Sequence, residues 1–561
     1  MRNLRLRLLV LAVLASVLLA ISLPNELLHY GNPATGFICL VPFFLLVTLV
    51  PTRRFAVLVG ALFGATQSLL ANFWLAFFHG FSVWTVSGVA LGMALYFMLF
   101  TPFFYALARL SPRYRPFVFA AAWTVYEYIK SIGFLAFPWG LVAFPVGSLL
   151  PFVQISDITG VWGVSYVMAL ISALGAETLR AAAGFSEAEG ALYGRPASAQ
   201  RRLPLLQGWA TAALFVAGML GYGFATMAHP LPVKDTLRAV LVQQNIDSWL
   251  AGPAVEQEIL TTGEKLSRAG IAHSSGPVDL VVWSEESLLR PYLYDHTFYE
   301  HEPPSDPFVH FLSQIDTPLL VGAPYVLSVR KQQVMNATIL LDPNGKLLDY
   351  YGKRRLVPFA EYIPFWNVPI VQWFMENVIG IGGGWTPGER NTIFTLKLHT
   401  GATVRFGTPI CFEDSFPDIA RGFFLAGADL LINLTNTSWS DTVSAETQQF
   451  TAARFLSIEN KRVMIRSTNS GVTSVIGPYG RVLASLPLFT PASLPVDVPI
   501  YESNHFTPYT LYGDYLPELL AVVVLLCLLK LAGFPAILRR RRGSAHAPDS
   551  PADAESETSR E

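Results

Sequence analysis

Long apolar stretches separated by short polar loops fill the first 228 residues of the chain and return once near its end. A helix that crosses a bilayer needs about 20 mostly apolar residues. We therefore predict eight transmembrane helices, at about residues 5–23, 36–50, 55–77, 84–106, 117–145, 161–179, 208–228 and 514–537. The first begins after Arg2, Arg5 and Arg7 like a signal peptide, but no convincing small-residue cleavage site follows, so we interpret it as an uncleaved anchor.

The basic residues of the loops predict how these helices are oriented. Lys and Arg concentrate in cytoplasmic loops, and here they follow the second, fourth, sixth and eighth predicted helices. The alternate loops, at 24–35, 78–83 and 146–160, contain neither residue type. We expect both termini to be cytoplasmic and residues 229–513 to lie on the outer side of the membrane.

Residues 229–513 have a different pattern, in which short apolar, β-branched runs alternate with helical stretches such as 446–461. Turn signals at 342–345 (Asp-Pro-Asn-Gly) and 477–480 (Gly-Pro-Tyr-Gly) predict two hairpins. This mixture predicts a layered α/β sandwich with both sheet faces covered. The predicted strands include 237–243, 278–283, 318–321, 404–410 and 430–434.

Composition agrees with a chain that is only partly embedded in a membrane. The chain is 52% hydrophobic and 14% charged, whereas soluble domains average about 25% charged residues. The net charge of -1 gives no support for a nucleic-acid partner. The predicted division is a seven-helix membrane domain at 1–228, an outer domain at 229–513, a C-terminal transmembrane helix at 514–538, and a basic stop with a disordered cytoplasmic tail at 539–561.

Cys411 is the one cysteine of the predicted outer domain, because the other two lie in predicted transmembrane helices. A free cysteine is often only a small buried hydrophobe, but Cys411 directly follows the run 404–410. Glu285 and Lys353 follow apolar runs in the same way. Since catalytic groups of open α/β sheets gather at that edge, the three residues form a plausible acyl-transfer set of base, oxyanion stabiliser and nucleophile.

The sequences around these residues resemble those of the nitrilase superfamily. Trp283-Ser284-Glu285, Tyr351-Gly352-Lys353 and Ile410-Cys411-Phe412-Glu413 are similar to its Glu–Lys–Cys motifs. The stretches 356–364 and 466–473 resemble those of its membrane-bound branch, the apolipoprotein N-acyltransferases. The resemblance covers the outer domain and extends to the arrangement of seven helices plus one.

The resemblance implies a nitrilase-like αββα sandwich and the last step of lipoprotein maturation at the bacterial inner membrane, with the catalytic domain in the periplasm. An acyl chain passes from a phospholipid to a thioester on Cys411, and then to the α-amine of the N-terminal diacylglyceryl-cysteine of an apolipoprotein. Glu285 is then the proton acceptor and Lys353 the oxyanion stabiliser, and no cofactor or metal is implied. The implied supporting residues are Glu361, Glu413, Phe412, Trp249 and Trp439.

Several features stay open at this level. The apolar segment 365–385 fits a buried core segment, but we favour a membrane-facing arm with glycine hinges that admits acyl chains. The aromatic run 292–299 is a candidate for a second arm. Glu127 and Lys130, at i,i+3 spacing in a predicted transmembrane helix, are either functional or a structural pair. Phe412 stands where the family often has tyrosine, which suits a packing role.

Two other functions remain open from the sequence. A membrane-tethered amidase of the same superfamily would let water resolve the thioester in place of an amine. A membrane scaffold would use the nitrilase-like domain for binding alone, but Glu285, Lys353 and Cys411 are all retained. Eight predicted spans and an apolar arm favour the acyltransferase, because a small-molecule hydrolase needs neither.

Overall fold

The computed structural model describes residues 2–78, 82–183, 202–379, 382, 384–502 and 505–533. The predicted basic stop and tail at 539–561 lie outside these residues, as do residues 534–538 of the predicted C-terminal helix and Gly380, Ile381 and Gly383 of the predicted arm. The described helices are α1 (Arg2–Ser22), α2 (Pro33–Gly36), α3 (Val41–Leu49), α4 (Arg53–Ala71), α5 (Ser82–Leu107), α6 (Arg115–Ser131), α7 (Leu150–Val153), α8 (Ser156–Thr159), α9 (Val161–Ala182), α10 (Arg202–Ala228), α11 (Pro253–Ala272), α12 (His296–Tyr299), α13 (Phe308–Ile315), α14 (Pro369–Phe374), α15 (Pro417–Leu425), α16 (Val443–Asn460), α17 (Pro508–Tyr512) and α18 (Tyr515–Leu531).

Five of the described helices are long and apolar enough to cross a membrane: Leu4–Ser22, Arg53–Ala71, Val83–Leu107, Val161–Ala182 and Leu203–Ala228. The other three predicted spans fall on shorter helices, namely the apolar pair α2–α3 and the 17-residue helices α6 and α18. The predicted span at 117–145 was too long, because α6 ends at Ser131. Gly133 follows with a φ of 83°, and Pro138 cannot continue a helix, so residues 132–143 form a loop.

The membrane helices share one apolar core rich in aromatic rings. Phe43 packs edge-to-face on Trp123 with ring centroids 5.4 Å apart, and Phe63 packs on Phe97 at 4.7 Å. Helix α1 packs against α3 and α4. Helix α18 packs against α6, so the C-terminal helix belongs to the same bundle as the N-terminal ones.

Two six-stranded sheets form the centre of the α/β domain. The first has the order β12-β1-β2-β3-β4-β5 and the second β11-β10-β9-β8-β7-β6. Each sheet contains three neighbouring parallel strands, β1-β2-β3 in the first sheet and β7-β8-β9 in the second. Every other pair of neighbouring strands is antiparallel. The strands are β1 (Val233–Gln243), β2 (Leu280–Val282), β3 (Leu319–Ser328), β4 (Gln333–Leu341), β5 (Leu347–Gly352), β6 (Phe394–Lys397), β7 (Thr403–Gly407), β8 (Leu430–Thr435), β9 (Met464–Thr468), β10 (Ser474–Ile476), β11 (Val482–Ser485) and β12 (Ala492–Tyr501).

Alternating residues of β1 explain why both faces of the first sheet are apolar. Ala239 and Leu241 belong to the core between the sheets, whereas Val240 and Val242 pack with residues of α11 and α13 on the opposite face. Helices α15 and α16 cover the second sheet. The predicted αββα sandwich is therefore confirmed.

The local sequence patterns located most elements correctly. The two turn signals join β4 to β5 and β10 to β11 as antiparallel hairpins, as predicted. Helix α16 begins three residues before the predicted 446–461, where Thr442 accepts a hydrogen bond from the Ala445 N–H. It ends one residue before the predicted end, because Lys461 is left-handed with a φ of 50°. The predicted strand 404–410 was too long at its C-terminal end, because β7 stops at Gly407 before Pro409.

The α/β domain rests on the three membrane-domain loops that lack Lys and Arg. Glu26 accepts hydrogen bonds from the N-terminal N–H groups of α16, including that of Ser444 at 2.8 Å. The Phe78 ring packs 4.9 Å from the Trp249 ring. The Gln154 amide oxygen accepts a hydrogen bond from the buried Lys461 ammonium at 2.6 Å. The described residues of all three loops therefore lie on the side of the membrane helices that the α/β domain occupies.

Candidate active site

Glu285, Lys353 and Glu361 form a buried charged cluster at one edge of the first sheet. Lys353 Nζ lies 3.0 Å from Glu285 Oε1 and 2.6 Å from Glu361 Oε1. Glu285 follows β2 and Lys353 follows β5, which runs in the direction of β3 because two antiparallel pairings separate them. The C-terminal ends of these strands meet at one edge, so the expected convergence of the two residues is confirmed.

Two carboxylates and one ammonium give this cluster an unusual balance of charge. Burial lowers the pKa of Lys353, but the Glu285 and Glu361 carboxylates raise it more, and it stays well above its ordinary value. Burial raises the pKa of Glu361 although Lys353 opposes the shift. The two carboxylates therefore favour the charged form of Lys353, and burial favours the protonated form of Glu361.

Two asparagines that we did not predict complete the binding of Glu285. Asn336 Nδ2 donates to Glu285 Oε1 at 2.8 Å and to Glu361 Oε1 at 3.3 Å, and the Asn436 N–H donates to Glu285 Oε2 at 2.9 Å. Glu285 therefore accepts three hydrogen bonds and keeps a fixed orientation. The sequence could have indicated both asparagines as candidate site residues. Asn336 interrupts the apolar strand β4, and Asn436 directly follows β8.

Cys411 begins a short 3₁₀-helix, Cys411–Ser415, in a left-handed conformation with a φ of 52°. The Asn433 amide holds this turn by donating to the carbonyl oxygens of Pro409 and Cys411, each at 3.0 Å. The residue is half-buried. Burial raises the pKa of the thiol well above its usual value, Glu285 raises it further, and Lys353 partly opposes the shift. Cys411 is therefore a neutral thiol at rest and needs a base to become a nucleophile.

Glu413 is a clamp that joins the Cys411 turn to the segment after Lys353. Its side chain is fully buried and accepts hydrogen bonds from the N–H groups of Ile410, Arg354 and Arg355 at 2.8–2.9 Å. The Tyr351 hydroxyl donates to it as well, at 3.0 Å. These hydrogen bonds join the two segments through one carboxylate, which fits a positioning role for Glu413.

Aromatic rings from both domains meet where the α/β domain contacts the membrane domain. Phe412 stacks on Trp139 of the membrane domain, with ring centroids 5.9 Å apart and planes 13° apart, and lies 5.7 Å from Lys353 Nζ. Trp249 donates its indole N–H to the Trp439 carbonyl at 3.0 Å. Phe78 of the membrane domain packs on both of these tryptophans. The predicted aromatic residues are thus at the junction of the domains, and Trp139 is a neighbour that the sequence did not reveal.

The segment 365–385 lies on the surface, as an arm, where described. The side chains of Phe365, Ile370 and Trp373 are 61%, 66% and 55% exposed, although Met375 is buried. Phe374 packs edge-to-face on Trp84 at the start of α5. The Trp385 N–H at the base of the arm donates to the Glu361 carbonyl at 2.8 Å. The arm is therefore an apolar surface joined to the charged cluster, and the alternative of a buried core segment is wrong for most of it.

The aromatic run 292–299 is not a second arm. Tyr292 and Tyr299 are buried and pack on Phe308 of α13. The Tyr292 hydroxyl donates to the Gly345 carbonyl at 2.8 Å. Both ends of the run therefore belong to the core on the outer face of the first sheet, because the Tyr292 and Tyr299 rings pack with α13, whereas Tyr294 between them is exposed.

Comparison with known proteins matches both halves of the molecule. Residues 15–174 match the family described as the apolipoprotein N-acyltransferase N-terminal domain, and residues 238–500 match the carbon-nitrogen hydrolase family. The chain is therefore a membrane protein that carries a carbon-nitrogen hydrolase domain of the nitrilase type.

Relatives of known name extend over nearly the whole chain. Apolipoprotein N-acyltransferase 2 of Treponema denticola is 39% identical over 91% of this chain and 95% of its own length. Apolipoprotein N-acyltransferase 2 of Treponema pallidum is 36% identical over 92% and 93%, and the Geobacter metallireducens apolipoprotein N-acyltransferase is 29% identical over 96% of each chain. The chain belongs to the apolipoprotein N-acyltransferase family.

Proposed function

We propose that the protein transfers an acyl chain from a phospholipid to the α-amine of the N-terminal diacylglyceryl-cysteine of apolipoproteins, by a ping-pong reaction through a thioester on Cys411. The observation that carries this proposal is the ion-paired cluster of Glu285, Lys353 and Glu361, which Glu413 links to the Cys411 turn where the α/β domain meets the membrane helices. The names of the relatives support the acceptor, and the exposed apolar arm supports a lipid donor.

In the first half-reaction the Cys411 sulfur attacks the ester carbonyl carbon of the phospholipid. Glu285, oriented by its three hydrogen bonds, accepts the thiol proton. The Lys353 ammonium stabilises the oxyanion, because its pKa is raised and it stays charged. The C–O ester bond then breaks, Glu285 returns the proton to the leaving alkoxide, and lysophospholipid departs.

In the second half-reaction the α-amine of the acceptor attacks the thioester carbonyl. Glu285 accepts the amine proton and transfers it to the Cys411 sulfur as the C–S bond breaks, which leaves an amide and regenerates the thiol. Glu361 supports both steps by sharing the Lys353 ammonium, and Glu413 supports them by holding the Cys411 turn. Trp249, Trp439 and Phe412 supply apolar walls for the acyl chain.

The proposed arrangement in the cell follows from the loops. We place the protein in the bacterial inner membrane, with residues 229–513 in the periplasm and both termini in the cytoplasm. The distribution of Lys and Arg supports this orientation, since the three loops that contact the α/β domain contain neither. The lipid donor and the lipidated acceptor would then both reach the site from the outer leaflet.

The decisive experiment follows the acyl-enzyme. The full-length protein is incubated with phospholipid, and intact mass spectrometry is used to look for a hydroxylamine-sensitive adduct that is absent from Cys411→Ala. Addition of a diacylglyceryl peptide should discharge the adduct and yield an N-acylated peptide. Discharge to free fatty acid alone would identify a hydrolase instead, and a folded protein that forms no adduct would favour the scaffold.

A further inference from the structure

We propose that Glu127 and Lys130, buried in the membrane helix α6, are positioning residues for the active site. They act through the 132–143 loop, which they fix so that Trp139 lies against Phe412 beside the nucleophile. This inference rests on the proposed role of Cys411. It assigns a function to two charges of the membrane domain that the acyl-transfer steps themselves do not use.

Both side chains bind the loop directly. Glu127 Oε1 accepts hydrogen bonds from the Val142 N–H at 2.7 Å and from the Trp123 indole at 3.0 Å, and its Oε2 accepts one from the Ser165 hydroxyl at 2.6 Å. Lys130 Nζ donates to the Trp139 carbonyl at 2.5 Å. The carboxylate therefore ties the end of the loop to α6 and α9, and the ammonium ties down its centre.

Because Glu127 and Lys130 are buried, their hydrogen bonds to the loop favour one conformation of the loop. The Glu127 and Lys130 residues are 1% and 4% exposed. A buried charge that loses its hydrogen-bond partner is costly, because water cannot replace that partner. The loop is therefore held where Val142 and Trp139 satisfy the two charges, and displacement of the loop would leave both unsatisfied.

The other side of the same loop contacts the catalytic machinery. Its Gly133 and Phe134 carbonyls accept hydrogen bonds from Arg355 Nη1 at 3.3 Å and from the Tyr362 hydroxyl at 2.7 Å. Arg355 lies two residues after Lys353, and Tyr362 directly follows Glu361. The Trp139 ring stacks on Phe412, which neighbours Cys411 in the chain. A shift of the loop would therefore displace residues next to Lys353, Glu361 and Cys411 together.

The test is a double-mutant cycle in the full-length protein, read as the rate of acyl-Cys411 formation from phospholipid. Lys130→Met and Trp139→Ala are each expected to slow acylation about tenfold or more with little change in KM for phospholipid, since misplaced reacting groups lower kcat. If Lys130 acts through Trp139, the double variant should be no slower than the slower single variant. Lys130→Arg, which can still donate to the Trp139 carbonyl, should recover most of the rate.

The matched control is the ion pair at the other end of α6. Arg115 Nε lies 2.6 Å from Glu177 Oε1, and both side chains are buried. Arg115 Nη1 donates to the Ala108 carbonyl at 2.7 Å, away from the 132–143 loop. Arg115→Met should lower the Tm as Lys130→Met does, yet leave the acylation rate per folded molecule within about twofold. Should Lys130→Met fail to accumulate, Glu127→Gln takes its place, because it keeps the volume and loses only the charge.

Several outcomes would overturn the proposal. A wild-type rate in Lys130→Met or in its substitute Glu127→Gln would show that the loop needs no such anchor. Multiplicative effects in the double variant, or an equal loss of rate in Arg115→Met, would reduce the pair to a general structural role. If the wild-type protein itself forms no adduct, the proposed function fails before this inference is tested, so the two failures are distinguishable.

Discussion

Lys353 Nζ lies closer to Glu361 Oε1, at 2.6 Å, than to Glu285 Oε1, at 3.0 Å. The proposed base therefore does not hold the ammonium alone. Glu285 shares Lys353 with Glu361 and receives two further hydrogen bonds, from Asn336 and Asn436. This division keeps the ammonium charged beside the thiol and leaves Glu285 oriented to accept a proton.

The first prediction concerns the reactivity of the Cys411 thiol. Burial raises its pKa, Glu285 raises it further and Lys353 lowers it. Glu285→Gln removes a negative charge, so the thiol should ionise more readily and react faster with iodoacetamide at pH 8. Lys353→Met should slow the reaction. Both variants should fail to form the acyl-enzyme, and a change in alkylation rate of the same sign in both would contradict this electrostatic description.

The second prediction concerns Glu413. Replacement by Ala leaves the Ile410, Arg354 and Arg355 N–H groups without their acceptor in a buried site. We expect a loss of about 3 kcal/mol or more of folding stability, seen as a lower Tm, and loss of acyl-enzyme formation. Asp418→Asn is the control, because Asp418 forms an exposed ion pair with Arg355, and such pairs contribute about 1 kcal/mol at most. Equal Tm values for the two variants would refute the clamp.

The third prediction concerns pH and the buried Glu446. Burial raises its pKa from 4.5 to about 7. Between those pH values the Glu446 carboxyl group is ionised in the unfolded chain and protonated in the folded protein. Its contribution to the free energy of unfolding therefore decreases as pH rises from about 4.5 to 7, by up to about 3 kcal/mol. Glu446→Gln should therefore gain Tm relative to wild type between pH 5 and pH 8. A pH-independent Tm difference between Glu446→Gln and wild type would contradict the raised pKa.

The fourth prediction concerns the arm. Ile370 and Trp373 expose apolar side chains on α14. A charge in place of Trp373 should weaken contact with the lipid surface, because apolar area would no longer leave water. Trp373→Asp should raise KM for phospholipid in vesicles several-fold and leave the rate at saturation nearly unchanged. Leu348→Asp, at an exposed apolar position on β5, is the control, and equal effects of the two would contradict a specific role for the arm.

Local periodicity predicted the α/β elements well, because both faces of the central strands are apolar. Some predicted bounds were wrong at the ends of elements. Strand β7 of the α/β domain stops before Pro409, and helix α6 of the membrane domain stops before Gly133. The aromatic run 292–299 was misjudged for a different reason. Its tyrosines look alike in sequence, but Tyr292 and Tyr299 are buried while Tyr294 is 65% exposed, and only the packing of α13 decides which ring is covered.

The alternation of membrane helices and loops, the layered α/β domain and the candidate residues at its strand ends could be predicted from hydrophobic periodicity and loop charge, which are local properties. The αββα order and the roles of the three residues were predicted from the resemblance of the motifs to a known family. The folded structure was needed to see that Asn336 and Asn436 bind Glu285, that Glu413 holds the Cys411 turn, and that Trp139 lies on Phe412. Such contacts join residues distant in the chain, so they depend on how helices and sheets pack, which no local pattern specifies.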